Sequence, residues 1–273
     1  MIIDTHLHLV DRARLTYPWL ADVPALDRDW RFDDYARMAV RVGITGVLHM
    51  EVDVAAPQIE AETAMVAGLM ADPLMRGAIS SARPEAQDFA PWLERQDRRV
   101  VKGLRRVLHV VPDDVSQQPL FRQNIARLGA AGLPFDICML QRQLPLAAAL
   151  ADACPETVFV LDHCGVPDMT GDFAPWAEAI TELARRPNVN AKISGITAYA
   201  GPDWTVARLR PYVEQVIAAF GWDRVVWGSD SPVCTLNASL EQWVAASHAL
   251  LAGCSADETA ALFHRNARRI WAI

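Results

Sequence analysis

The sequence predicts an α/β fold of the (β/α)8 TIM-barrel class, and three observations carry that prediction. Short apolar or β-branched runs recur eight times along 273 residues. Each is followed by a longer segment of helical period, the pattern of repeated βα units around a parallel sheet. The length suits one barrel, which typically takes about 250 residues, and no linker interrupts it. The expected organisation is therefore a single barrel domain over residues 1–273 with a closing helix at its end.

Taken in order, the strand candidates are Met1–Thr5, Thr45–Met50, Met75–Ser80, Val100–Leu104, Pro134–Met139, Val158–Asp162, Val189–Ser194 and Val225–Gly228. Between them the helical period runs over Phe32–Val42, Gln58–Ala71, Gln87–Gln96, Pro119–Ala131, Leu144–Ala153, Ala174–Arg186, Val206–Phe220 and Leu240–Leu251, and the closing helix spans about Ala256–Ile270. Gly132 suits a helix end that needs left-handed backbone, and Ser255 with Glu258 three residues on is a capping-box signature.

Composition narrows the function. A hydrophobic fraction of 52% with 22% charged residues is that of a globular protein able to bury a large core. The net charge of -7, with no Lys/Arg-rich run, argues against nucleic acid or an anionic membrane as partner and favours a small neutral substrate. Five scattered cysteines without CxxC spacing read as reduced core thiols. No secretory leader or membrane span of about 20 apolar residues is visible, so the cytoplasm is the expected location.

Barrel chemistry sits at the C-terminal strand ends, and the polar residues concentrate there. His6 and His8 end the first strand, where the two-residue side-chain period puts both imidazoles on one side, toward the mouth. His49 and Glu51 end the second, and the same alternation would orient them together; a solvated rim pair fits them equally well. On the fourth strand Lys102 needs a partner because an unpaired buried ammonium is costly, and Arg105 or Arg106 just beyond it could clamp a carbonyl or carboxylate. Asp136 lies inside the fifth strand, Asp162 and His163 end the sixth, and Lys192 and Ser194 lie on the seventh; salt bridges would account for any of these. In Trp227-Gly228-Ser229-Asp230-Ser231-Pro232 a strand gives way to a carboxylate at the mouth. One carboxylate facing His6, His8 and His163 has the parts to activate water or hold a metal.

At these residues the sequence resembles the amidohydrolase superfamily, in the amidohydrolase 2 branch, over essentially its whole length. The match lies in the set: Ile3-Asp4-Thr5-His6-Leu7-His8, Leu161-Asp162-His163-Cys164-Gly165, the Asp230 motif, and Val101-Lys102-Gly103-Leu104-Arg105. Phe263-His264-Arg265-Asn266-Ala267 is similar to the branch's structural closing helix, with Arg265 in place of a glycine. Tyr17-Pro18-Trp19-Leu20 and the strand-four segment look most like the sugar-lactone hydrolases, with L-fuconolactonase and L-rhamnonolactonase as the nearest activities. One departure matters: the fully metal-dependent relatives carry a histidine ending strand five, and Pro134–Leu140 has none, so a bridged two-metal site is not expected.

The expected reaction is opening of a sugar-acid lactone, L-fuconolactone-like, to the aldonic acid. Asp230 would be the general base, His163 and Arg105 would polarise the carbonyl, and His6, His8 and Lys102 would complete the catalytic set. Tyr17, Trp19, Glu51 and Asp136 would contact substrate. A single zinc or manganese ion has ligands in His6, His8, Glu51 and Asp230, although turnover is expected not to require one strictly. The rival readings are a metal-dependent decarboxylase of an aromatic or related acid and a barrel that binds a sugar acid or a protein without catalysis.

Overall fold

In the computed structural model, which describes residues 1–273, eight strands form in the predicted order: β1 (Ile2–Leu7), β2 (Ile44–Met50), β3 (Met75–Ser81), β4 (Val101–Val107), β5 (Phe135–Cys138), β6 (Phe159–Leu161), β7 (Val189–Ile193) and β8 (Val225–Trp227). They pair side by side in chain order, all parallel. A parallel bridge from Leu7 to Ser231 returns the last unit to the first, so the sheet is a nearly closed barrel. Helices surround it: α1 (Phe32–Arg41), α2 (Ile59–Ala67), α3 (Phe89–Glu94), α4 (Pro119–Ala130), α5 (Leu144–Ala153), α6 (Phe173–Ala184), α7 (Ile196–Tyr199), α8 (Val206–Phe220), α9 (Leu240–Leu250), α10 (Ala256–Ala260) and α11 (Asn266–Trp271).

The predicted turn chemistry is in place. Gly132 has φ +68 just beyond α4, and Ser255 and Glu258 form the reciprocal cap of α10. Two elements depart from expectation. The closing helix is broken by a π-helical turn over Ala261–Arg265, and a four-residue helix, α7, follows β7 where no periodic signal exists.

The barrel interior has an apolar floor. Ile3, Leu48, Met50, Ile79, Val160 and Val226 point inward and pack on Ala267, Ile270 and Trp271 of α11, which plugs the barrel from below. Asn266 ties that plug to the base of β8 through its side-chain amide, donating to Trp222 O at 2.6 Å and Val225 O at 2.8 Å. Above this floor His6, Glu51, Arg105, Asp136, Asp162 and Lys192 meet inside the barrel, in surroundings of low dielectric where unpaired charge is expensive.

A bulge in β1 decides which way the first histidine points. Asp4 pairs with Val47 and Leu7 with His49, so three steps on β1 match two on β2. The extra residue flips the side-chain parity, letting Ile3 and His6 both face inward although they are three apart.

Candidate active site

Strands one and eight are joined above the floor, and that joint builds the site. The carboxylate of Asp4 accepts the backbone N–H of His6 at 3.0 Å and of Ser229 at 2.8 Å, and the Tyr35 hydroxyl of α1 at 2.6 Å. Asp230 N then donates to His6 O and His8 N to Ser231 O. Gly228 is required here, because a Cβ would come within 2.7 Å of His6 Cβ. The result sets His6 Nε2 3.6 Å and His8 Nε2 3.5 Å from Asp230 Oδ1, with His163 Nδ1 3.9 Å from Oδ2.

Asp230 is buried, yet neither carboxylate oxygen makes a hydrogen bond. Burial pushes its carboxyl up to about 6. Its backbone is left-handed at φ 58, as is that of His163 at φ 54, and such conformations cost roughly 1–3 kcal/mol each for non-glycine residues. Gly195, at φ +64 after β7, passes so close that a Cβ would lie 2.5 Å from His163 Nδ1 and 2.8 Å from Asp230 Oδ2. His163 Nδ1 also meets Ser194 Oγ at 3.0 Å. Burial lowers the pKa of all three histidines, that of His8 to about 3, which keeps the imidazoles neutral and their lone pairs available.

The donor set suits one divalent cation. Tetrahedral bonds of about 2.0–2.2 Å separate neighbouring donor atoms by roughly 3.3–3.5 Å, close to the spacings around Asp230 Oδ1. His8 Nδ1 meets Met50 O at 3.0 Å and His6 Nδ1 meets Asp162 Oδ1 at 3.4 Å, the outer contacts that turn each Nε2 lone pair toward Asp230. Arg105 Nη1 reaches the same His6 Nε2 at 3.4 Å. His6, Asp162 and His163 form a second cluster, but an ammonium is already there: Lys192 Nζ lies 2.9 Å from Asp162 Oδ1, 2.5 Å from Asp136 Oδ2 and 3.2 Å from His6 Nδ1. Strand β5 holds no histidine and ends in Cys138, whose thiol meets His109 Nδ1 at 3.4 Å.

Several residues expected at the site have other work. Lys102 lies at the opposite rim, beside Gly77, its Nζ donating to Arg98 O. The second position of β4 is below the floor, so Lys102 cannot join the catalytic set. Glu51 is a full partner of Arg105, accepting from Nε at 2.7 Å through its side chain and from Nη2 at 2.8 Å through its carbonyl, while Oε2 accepts from Asp53 N. It belongs to neither donor cluster. His49, expected beside it, turns outward to Glu62 of α2 at 3.3 Å. Asp136 is enclosed with Lys192 and out of substrate reach. Tyr17 accepts from Asp11 N and Trp19 donates to Val52 O, so both staple the first loop around Leu15, Leu20, Leu26 and Val54 instead of walling a pocket.

Arg105 does point inward, but its N–H groups go to Glu51, Asp162 and His6. Arg106 points away, to Glu85. Lys102→Met and Arg106→Ala are each expected to change kcat/KM by less than about 3-fold, whereas Arg105→Ala, which strands the Glu51 carboxylate, should cost about 3–5 kcal/mol of stability as well as turnover. Urea titrations and steady-state rates on the three variants check the order; a larger effect from Arg106→Ala would overturn it.

Tyr199 carries no sequence signal because α7 is too short to show a period, and Asn237 carries none because it lies on the loop after β8. The Tyr199 ring lies 6.0 Å from that of His163.

The family model described as amidohydrolase (Amidohydro_2) matches residues 3–273. L-fucono-1,5-lactonase of Burkholderia multivorans is 27% identical over 99% of this chain and 96% of its own length. L-fucono-1,5-lactonase of Burkholderia ambifaria is 37% identical over 50% of this chain and 47% of its own. A crystal structure of an amidohydrolase from Burkholderia multivorans with bound zinc superposes with a TM-score of 0.91 at 26% identity, covering 100% of this chain and 99% of that one.

Proposed function

This chain belongs to the amidohydrolase family, and from that premise we propose that it hydrolyses a neutral sugar-acid lactone of the L-fuconolactone type to the aldonate. The observation that carries the reading is the buried Asp230 carboxylate with both oxygens unsatisfied, facing three neutral imidazoles. The lactonase relatives support the choice of substrate class.

Asp230 orients a water molecule and takes its proton as the water oxygen adds to the lactone carbonyl carbon. The ring C–O bond of the resulting tetrahedral species then breaks. The proton passes from Asp230 to the departing alkoxide, leaving a hydroxyl and a carboxylate. His163, held by Ser194, stands against Asp230 Oδ2 with its ring 4.4 Å from that of His6, and it stabilises charge on the carbonyl oxygen. Arg105 acts through others: it holds Glu51 and Asp162, and so the ring of His6. Bound by His6, His8 and Asp230, a zinc or manganese ion would supply Lewis-acid polarisation and acidify water.

A panel of aldonolactones in a pH-indicator assay tests the substrate class. Acid release from L-fucono- or similarly configured lactones is the expected result; inert lactones together with loss of carbon dioxide from an aromatic acid would hand the site to a decarboxylase. Elemental analysis is expected to give one zinc per chain, lost in His8→Ala and retained in Glu51→Gln. Chelation of the same sample measures whether turnover needs the ion, and activity returning in proportion to bound metal would reject the expectation that it does not.

A further inference from the structure

The lactonase reading gives the carbonyl oxygen one group, His163, and leaves a second donor to be found. An oxyanion needs hydrogen-bond donors aimed at it, and the buried guanidinium of Arg105 spends its N–H groups inside the barrel wall. A donor for that oxygen must lie near Asp230 and have no partner within the protein.

Tyr199 meets that description. It ends α7, four residues after Gly195, the position whose missing side chain leaves room beside His163 and Asp230. Its ring is tilted 57° to that of His163, and 38% of its surface is exposed. The hydroxyl lies within the fields of Asp230, Asp162 and Arg105 and has no hydrogen-bond partner; burial and the Asp230 charge keep the phenol protonated, its pKa well above the ordinary value.

A four-residue helix has no stability of its own, because its terminal carbonyls are unsatisfied. Here Asn237, on the loop after β8, supplies the missing partners: its amide nitrogen donates to Thr197 O at 3.1 Å and Ala198 O at 2.9 Å. Trp204 Nε1 in turn donates to Asn237 O at 2.9 Å. The loop that carries Asp230 therefore also holds the helix that carries Tyr199.

We propose that Tyr199 is a substrate-contacting donor, its hydroxyl hydrogen-bonding the lactone oxygen that gains charge above His163 and Asp230, with Asn237 as its positioning residue. The proposal rests on the lactonase reading and adds a second donor to the His163 of that reading.

The test compares zinc-loaded wild type, Tyr199→Phe, Asn237→Ala and the double variant, on the most active lactone of the panel and in calorimetric titration with L-fuconate. Tyr199→Phe is expected to lower kcat about 10- to 100-fold with KM within about 3-fold, at unchanged zinc content and thermal midpoint. Asn237→Ala should lower kcat in the same direction and add little in the Tyr199→Phe background, the non-additivity of two residues acting through one group. Tyr199→Phe with kcat within 2-fold of wild type would overturn the proposal. If wild type turns over no lactone, weaker L-fuconate binding by Tyr199→Phe keeps the contact while the lactonase reading falls; L-fuconate binding equally to both, or to neither, overturns the contact as well.

Discussion

Asp230→Asn is expected to lower kcat by at least about 10³-fold while leaving the fold at or above wild-type stability. The rate loss follows from the role: an amide cannot take a proton from water, and general base catalysis is worth roughly 10²–10⁴. The loss of a ligand to the cation adds to it. The stability side follows from the environment. Neither oxygen of Asp230 is hydrogen-bonded and the group is buried, so removing its charge takes away a desolvation cost without breaking a bond. Asparagine also tolerates the left-handed backbone at φ 58 better than most residues. Steady-state rates and urea unfolding on one preparation give both numbers. Near-normal turnover would remove Asp230 as the base, and a stability loss above about 1 kcal/mol would show a hidden structural partner.

Lys192→Met should destabilise the fold as strongly as Arg105→Ala, by about 3–5 kcal/mol. Its ammonium is fully enclosed between Asp136 and Asp162, over the ring of Trp271 at 5.5 Å. Burial works against the charge, but the two carboxylates outweigh it and raise the Lys192 pKa; burial is also the largest single influence on Asp162, and Lys192, His6 and His163 together overcome it to hold that carboxyl well below its usual range. Methionine fills the volume and leaves two buried carboxylates, of which only Asp162 keeps a cation, Arg105 at 3.2 Å. Adding Asp136→Leu removes the stranded group, so the double variant should recover part of the loss. Urea unfolding followed by circular dichroism measures each step. A single-variant loss below 1 kcal/mol, or no recovery in the double, would mean that the trio is not a coupled charge network.

The two predictions also mark how far the sequence is readable. Asp230, His6, His8 and His163 are legible because each ends a strand, and in a barrel a strand end has only one place to go. The eight strands and most helices are legible for a similar local reason: apolar period, glycine ends and capping pairs are written within a few neighbouring residues. Lys102 and Glu51 mislead because their chemistry is right and only their height or partner is wrong. Lys102 and Arg105 share a strand, yet three residues separate the lower rim from the site. Asp136 looks like a substrate contact until Lys192, 56 positions away, is set beside it.

By itself, then, the amino-acid order determined the barrel, the order of its strands and the placing of His6, His8, His163 and Asp230 at strand ends, since all of these follow from the apolar period and strand polarity. Tertiary structure alone decided the rest. The one-residue bulge that turns His6 inward depends on the pairing of β1 with β2. The enclosure of Lys192 by two carboxylates needs three strands at one level, and the placing of Tyr199 over His163 needs Asn237 from the loop after β8. The physical reason is common to them: desolvation and hydrogen-bond satisfaction depend on what surrounds a group in space, and closure of the barrel brings together residues that no local pattern connects.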